Sequence, residues 1–371
     1  MKILLVEPNF PIPSKSKNHS NFLPISLLKI ASYHRSAGDT IELNRGNSPA
    51  SSYPDEIKIT SLFTYWSKYV KESVEYYRKL YPKAFIEIGG IYASLMPDHC
   101  KSYTGCDRVI RGLYKRGIAE RFEPAYDLVN VDYQIIHASR GCFRKCIFCG
   151  TWQIEPKITY KKTIKGEIKS PKIVFYDNNL IANPYIKDIL NEIAEFRMGQ
   201  RVIHCESQSG LDGSLLNQEI ANLIKKTRFK NPRISWDGGI YQKDKIREQI
   251  EYLLSAGYKS EEIYIFMLYN WRISYAEMRE KLEQCRKWII QVIDCRYRPL
   301  DITEDNYNPY ILRQTDEEYY IHPIWTDQQV RKFRKAVRRQ NIAVRLELPN
   351  ARYIEGVEKR YVPAKIRNAT H

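Results

Sequence analysis

Short β-rich apolar runs alternate with amphipathic stretches of helical period over most of this chain, and that alternation admits few architectures other than parallel α/β. The first series reads Lys2–Val6 as strand, Pro24–Ala37 as helix, Thr40–Leu43 and Ile57–Phe63 as strands, Lys68–Leu80 as helix and Ala84–Ile88 as strand, closed by Gly89-Gly90. A helix around residues 93–103 and a short strand Arg108–Ile110 before Gly112 complete it. The pattern predicts a doubly wound, Rossmann-like domain over residues 1–125, with its ligand at the carboxyl ends of the strands.

A second series starts near Ile135. Its strands are Ile135–Ser139, Lys172–Tyr176, Val202–Glu206, Arg233–Asp237, Ile263–Leu268 and Val292–Tyr297, with helices Tyr185–Phe196, Leu215–Lys226, Lys243–Ala256 and Tyr275–Trp288 between them. Six such strands suit a partial (β/α)6 barrel over residues 126–300, whose chemistry would sit on the loops after the strands. Residues 301–371 read as a short basic α+β extension. Thr326-Asp327-Gln328-Gln329 forms a capping box there, opening a helix with Val330, Phe333 and Val337 on one apolar line. The tail after Pro363 is expected to be mobile.

Composition narrows the function classes. The 371 residues carry a net charge of +16, which splits as +4, +9 and +3 over residues 1–134, 135–300 and 301–371. The excess lies mainly in the second series and points to an anionic substrate or partner. No apolar run is long enough to span a membrane. Eight cysteines are too sparse for a disulfide-built fold. The opening Met1-Lys2 leads straight into a strand, with no secretory signal, so a reducing cytoplasm is the expected compartment.

Three of those cysteines fall within eight positions, in Ser139-Arg140-Gly141-Cys142-Phe143-Arg144-Lys145-Cys146-Ile147-Phe148-Cys149-Gly150. Three closely spaced thiolates suit a soft metal centre. They leave one position open on a cubane iron-sulfur cluster, or on a tetrahedral zinc. A structural zinc would need a fourth ligand, and the nearest histidine, His137, lies five residues before the cluster inside a predicted strand. An open site is therefore the better reading.

This C-x3-C-x2-C spacing on the loop after the first barrel strand, with Phe148 before the third cysteine, resembles the radical S-adenosylmethionine superfamily. The resemblance implies a [4Fe-4S] cluster on Cys142, Cys146 and Cys149, its unique iron chelated by S-adenosylmethionine. An external one-electron donor would reduce the cluster, and cleavage of the cofactor to a 5′-deoxyadenosyl radical would follow. Phe148 would lie beside the adenine. Where many members carry a Gly-Gly-Glu motif after the second barrel strand, this chain has Phe175-Tyr176-Asp177-Asn178-Asn179. Asp177 or Asn178 would hold the methionine amino group, or else the Asp-Asn-Asn run caps the helix after Asn183-Pro184. Glu206 and Gln208, and Asp237 within Trp236-Asp237-Gly238-Gly239, stand at later strand ends where ribose, carboxylate or substrate contacts are expected. Arg296, Tyr297 and Arg298 follow the last strand, and guanidinium forks there suit an anion. Cys100, Cys106, Cys205, Cys285 and Cys295 read as buried thiols.

Residues 1–125 resemble the cobalamin-binding-like domain that precedes the barrel in many of these enzymes. The resemblance rests on the opening Lys-Ile-Leu-Leu-Val-Glu-Pro-Asn, on Thr60–Trp66, on Ile88-Gly89-Gly90-Ile91-Tyr92-Ala93 and on Gly112. Gly89 and Gly90 would let a planar cofactor approach the backbone. The Asp-x-His-x-x-Gly loop that supplies an axial histidine to cobalt is missing: the chain reads Asn9-Phe10-Pro11-Ile12-Pro13, and His19 lacks that context. With cobalamin the resemblance implies methyl transfer; without it, hydrogen abstraction followed by rearrangement, oxidation or coupling. Two alternatives stay open. One is an RNA-modifying radical enzyme using the lysines from Lys157 to Lys172 and the Arg331–Arg339 helix face on phosphates. The other is a noncatalytic, metal-stabilised nucleic-acid-binding protein.

Overall fold

In the computed structural model, which describes residues 1–12 and 21–346, the opening apolar run is strand β1 (Lys2–Glu7). Pro13, His19 and the tail beyond Pro363 lie outside the described residues. Ile3 and Leu5 pack with Leu27, Ile30 and Ala31 of helix α1 (Ile25–Ser36). Leu4 and Val6 face the other way, so β1 is buried on both sides, as a central parallel strand should be. Each such side chain contributes about 1.5–3 kcal/mol on burial.

Strands β2 (Thr40–Arg45) and β3 (Glu56–Ser61) flank β1 in parallel. Helix α2 (Ser67–Leu80) sends Val70, Val74 and Tyr77 onto the face bearing Leu4 and Val6. Strand β4 (Phe85–Gly90) follows. The single helix expected near residues 93–103 is two, α3 (Ile91–Leu95) and α4 (Pro97–Thr104). Pro97 donates no hydrogen bond and forces Met96 out of the helical region, to φ −131°, ψ 60°. Strand β5 (Arg108–Val109) completes a parallel sheet of order β2-β1-β3-β4-β5. Its order reverses between β1 and β3, the crevice where doubly wound sheets bind ligands.

The second series begins with β6 (Gln134–Ile136). The expected strand Ile135–Ser139 is cut short: Ser139–Arg140 forms β7, which after the short helix α5 (Thr151–Ile154) pairs antiparallel with β8 (Thr159–Tyr160). Then come β9 (Lys172–Phe175), helix α6 (Ile186–Glu195), the ribbon of β10 (Arg197–Met198) with β11 (Arg201–Val202), and β12 (His204–Ser207). Strands β12, β9 and β6 form a parallel sheet in that order. All these elements belong to one compact unit, Met1–Gln208 with Arg298–Tyr307.

The other unit holds Ser209–Tyr297 and the described residues from Asn308 on. It contains helix α7 (Gln218–Lys226), strand β13 (Arg233–Ser235), helix α8 (Lys243–Ser255), strand β14 (Tyr264–Tyr269), helix α9 (Tyr275–Lys287), strand β15 (Gln291–Arg296) and helix α10 (Asp327–Arg345). Strands β13, β14 and β15 are parallel neighbours in sequence order. Helix α10 opens on the Thr326–Gln329 capping box and buries Val330, Phe333 and Val337. No helix among the described residues is long and apolar enough to cross a membrane.

Candidate active site

The cysteine loop leaves β7 through Gly141, whose φ is +78° and whose missing Cβ would stand 2.7 Å from the Lys157 carbonyl, in the bend just before β8. Only glycine fits there. Buried side chains anchor the backbone before it. Asp177 accepts from Ala138 N (3.1 Å), Ser139 N (2.5 Å) and Ser139 Oγ (2.7 Å). Asn178 Oδ1 accepts from Gly141 N at 3.0 Å. Asn183 Nδ2 donates to the carbonyls of Ala138 (2.9 Å) and Lys161 (3.0 Å). Burial pushes the Asp177 carboxyl up to about 6 despite its hydrogen bonds.

Cys142, Cys146 and Cys149 are partly exposed, and all eight cysteines are free thiols. Asn179 Nδ2 donates to Cys142 Sγ at 3.9 Å, and Cys149 Sγ donates to Thr151 Oγ1 at 3.3 Å. A metal-bound sulfur is deprotonated, and the second contact then reverses, with the hydroxyl donating. Trp152 Nε1 and Cys149 N both donate to the Cys146 carbonyl, closing the loop onto α5. His137 does not turn toward the thiols for a fourth ligand: its Nε2 accepts from Arg140 Nη1 at 2.8 Å. Burial, then Arg140, holds it neutral. Among the described residues no three His, Cys, Asp or Glu side chains gather around a point that would hold one metal ion. In a cubane each thiolate takes its own iron, so the three sulfurs need not converge on one.

Arg140 ties this loop to the amino-terminal domain. Its guanidinium takes Glu155 with two nitrogens, Nε at 2.9 Å, and lies 3.7 Å from Glu120, which also binds Lys29 at 2.6 Å. Burial raises the Glu120 carboxyl, but Arg140 and Lys29 together bring it below its usual value. Lys29 meets one carboxylate and two other cations, so burial prevails and its ammonium is lowered.

A cavity of about 530 Å³ lies beside the loop, within the same unit. It is walled by residues at or just past the carboxyl ends of seven parallel strands: Glu7, Leu62, Gly90 and Ile110 from β1, β3, β4 and β5, and His137, Tyr176 and Gln208 from β6, β9 and β12. Gly89 and Gly90 both line it, for different reasons. Gly90 has φ +103°, and a Cβ there would lie 2.1 Å from the Ser61 carbonyl, so sheet packing demands it. A Cβ on Gly89 would meet only Ile110 Cβ, at 3.8 Å, so a larger side chain has the cavity to fill.

The remaining sequence candidates are distributed as follows. Asp177 and Asn178 accept hydrogen bonds from the cysteine-loop backbone, and neither caps the next long helix. The following helix, α6, has Tyr185 as its cap residue and no side-chain cap. Phe148 is half-buried within the loop, and Glu206 is buried inside β12. Asp237 lies in the second unit, on a turn braced by Lys281, whose Nζ donates to the carbonyls of Trp236 (2.8 Å) and Gly238 (2.7 Å). Burial pushes Asp237 up to about 6 against the pull of Lys281. Arg298 leans on Tyr65 and Asp305, while Arg296 covers the Tyr319 ring. In the basic segment, Lys161, Lys169 and Lys172 pair with Glu167, Glu123 and Asp132. The sequence reading missed Glu120, Glu155, Lys29 and Lys281; Arg140 and Asn179 stood inside quoted motifs, and Asn183 was named only as preceding a helix.

No family model matches the sequence, and no curated relative does. Among solved structures the chain is similar to the radical S-adenosylmethionine methyltransferase TsrM from Kitasatospora setae, solved with cobalamin and a [4Fe-4S] cluster bound. The TM-score is 0.60 at 13% identity, over 80% of this chain and 74% of that one. A second structure of TsrM, with tryptophan substrate and the S-adenosylmethionine analogue aza-SAM, gives 0.59 at 14% identity, over 80% and 72%. The likeness shows the fold: an α/β architecture with parallel sheets, shared with that methyltransferase over 80% of this chain.

Proposed function

We propose that this chain is a cytoplasmic radical S-adenosylmethionine enzyme that holds a corrinoid in its amino-terminal cavity and transfers a methyl group to a substrate yet to be identified. One arrangement carries the reading: a cavity bounded by the carboxyl ends of the two parallel sheets of the first unit shares Arg140, His137 and Glu155 with the anchorage of the three-cysteine loop. The donor set fits a [4Fe-4S] cluster with an open iron. Three partly exposed thiols are available on one short loop, and the nearby imidazole is committed to Arg140. When bound, the cluster supplies the electron for reductive cleavage of S-adenosylmethionine, and the corrinoid carries the methyl group.

The chain's own residues do the rest. Cys142, Cys146 and Cys149 hold the cluster, with the Asn179 amide and the Thr151 hydroxyl as donors to two of the sulfurs, which eases the negative charge there. Phe148 borders the adenine. Phe143 and Ile147, exposed on the loop, offer an apolar rim against which an external electron donor docks. Gly89 leaves room for the corrin face. The cavity is smaller than a whole corrinoid, so it seats part of one.

The test is anaerobic reconstitution of the full chain. Iron-sulfur absorption, 5′-deoxyadenosine or S-adenosylhomocysteine formed from S-adenosylmethionine, and retention of added hydroxocobalamin are expected. A Cys142→Ala, Cys146→Ala, Cys149→Ala triple variant that keeps its iron would sink the cluster assignment. RNA as substrate is a second reading, with one observation in its favour: a groove of about 740 Å³ in the second unit, where Arg279, Arg286, Lys332, Lys335 and Arg339 outnumber Glu280 and Glu283 in the wall. RNA affinity that does not fall with salt would exclude it.

A further inference from the structure

The cavity is lined by charged side chains as well as apolar ones, and its charges are already spent on one another. Four carboxylates line it, Glu7, Glu87, Glu120 and Glu155, against two cations, Lys58 and Arg140. Each carboxylate has a cation in contact. Arg45 holds Glu7 at 2.5 Å from outside the lining. Lys58 lies 3.3 Å from Glu87, which Arg108 also holds through Nε at 2.5 Å. Lys29 and Arg140 hold Glu120, and Arg140 holds Glu155. The second anion on Lys58 is Glu56, at 2.7 Å. Five carboxylates and five cations therefore cancel within the network.

Two consequences follow from elementary electrostatics. Among the described residues, an ion added to this cavity finds no unspent counter-charge, and burying it so is costly. The anionic ligand that the net charge of +16 suggests therefore has no described lining cation without a carboxylate partner to receive it here. Four carboxylates stand in the wall; their oxygens only accept hydrogen bonds and keep lone pairs beyond those their cations use. A ligand that matches such a wall is uncharged where it touches it, apolar over most of its surface, and edged with N–H donors.

We propose that the cavity selects its ligand by this rule: Glu7, Glu87, Glu120 and Glu155 accept hydrogen bonds from neutral primary amides on the rim of a flat apolar ligand, and the site rejects the same ligand with a carboxylate in place of an amide. The proposal rests on the corrinoid reading, since a corrin ring carries primary amides around its edge.

The experiment compares hydroxocobalamin with its monocarboxylates, in which one propionamide is hydrolysed to the isosteric acid. Binding to the full wild-type chain at pH 7.5 is followed by corrin absorbance after gel filtration and by titration, so no variant has to fold and no turnover is needed. At least one monocarboxylate isomer is expected to bind ten-fold or more weakly than the parent. If the parent binds and every isomer binds within two-fold of it, the selection rule is overturned while the corrinoid reading stands. If the parent itself is not retained, the corrinoid reading falls, and this proposal with it.

Discussion

The pH dependence of the cysteine-loop anchor can be worked out in advance. Asp177 is buried, accepts three hydrogen bonds from Ala138 and Ser139, and has its carboxyl raised from 3.8 to about 6, chiefly by burial. The folded state holds that proton more tightly than the opened chain does. The stabilisation linked to it is full below pH about 4, is lost as pH rises toward about 6, and stays lost above. At about 1.4 kcal/mol per pH unit the loss comes to about 3 kcal/mol. An Asp177→Asn variant keeps one acceptor oxygen and carries no titrating proton, so it lacks this loss. Its stability relative to wild type should therefore improve by about 3 kcal/mol between pH 4 and pH 7.5. Amide hydrogen exchange over residues 137–142 reads the local opening directly, without requiring one global transition. The ratio of variant to wild-type protection should climb by about two decades over that range. A ratio constant within about threefold would mean that the carboxylate is not desolvated as described.

Four further outcomes follow from individual contacts. Gly90→Ala should abolish soluble folding, because its Cβ meets the Ser61 carbonyl at 2.1 Å. Gly89→Leu should fold, keep its iron by chemical assay and retain about ten-fold less hydroxocobalamin; unchanged retention would mean the cavity is not the corrinoid site. Burial lowers the Lys281 ammonium to about 8, so wild-type stability should rise by about 3 kcal/mol from pH 8 to pH 10.5. Lys281→Met should lack that rise in denaturant titrations. Thr326→Ala removes the cap on α10 and should cost about 1 kcal/mol, visible as faster exchange in the first turn of that helix.

The sequence made the architecture legible because strand and helix periods are local signals. The runs read as β1 to β5, β9 and β12 to β15, and the helices between them, fall within a few residues of their place, apart from the split at Pro97, the break that leaves β11 and β12 separate, and the short β10, which the sequence reading did not contain. The cysteine loop was equally plain, since three ligands within eight positions need no tertiary information. What holds that loop was not legible. Asp177 reaches across 38 and 39 residues to Ser139 and Ala138, and Arg140 draws on residues 29, 120 and 155 through a network that no short pattern encodes. An aspartate after a strand has many uses, and reading it as a helix cap assumed a neighbour close in sequence. The glycine pair shows the same limit: Gly89 and Gly90 look alike in sequence, and only the distance to Ser61 separates the one that packing requires from the one that leaves room.

The decapeptide Arg298–Tyr307 returns to the first unit after the chain has traversed most of the second, placing Thr303 on Ser67 Oγ at 2.9 Å and Glu304 in a bridge with Trp66. During synthesis this imposes an order. A nascent chain that has emerged only to Gln208 has every strand of the first unit but not this last strip, and it must wait for about a hundred more residues before the strip can be laid down. A gene fragment cut at residue 208 would make the same unfinished product permanently. Expression trials are better designed around a circular order, with the 298–307 segment linked behind residue 208, than around a simple truncation.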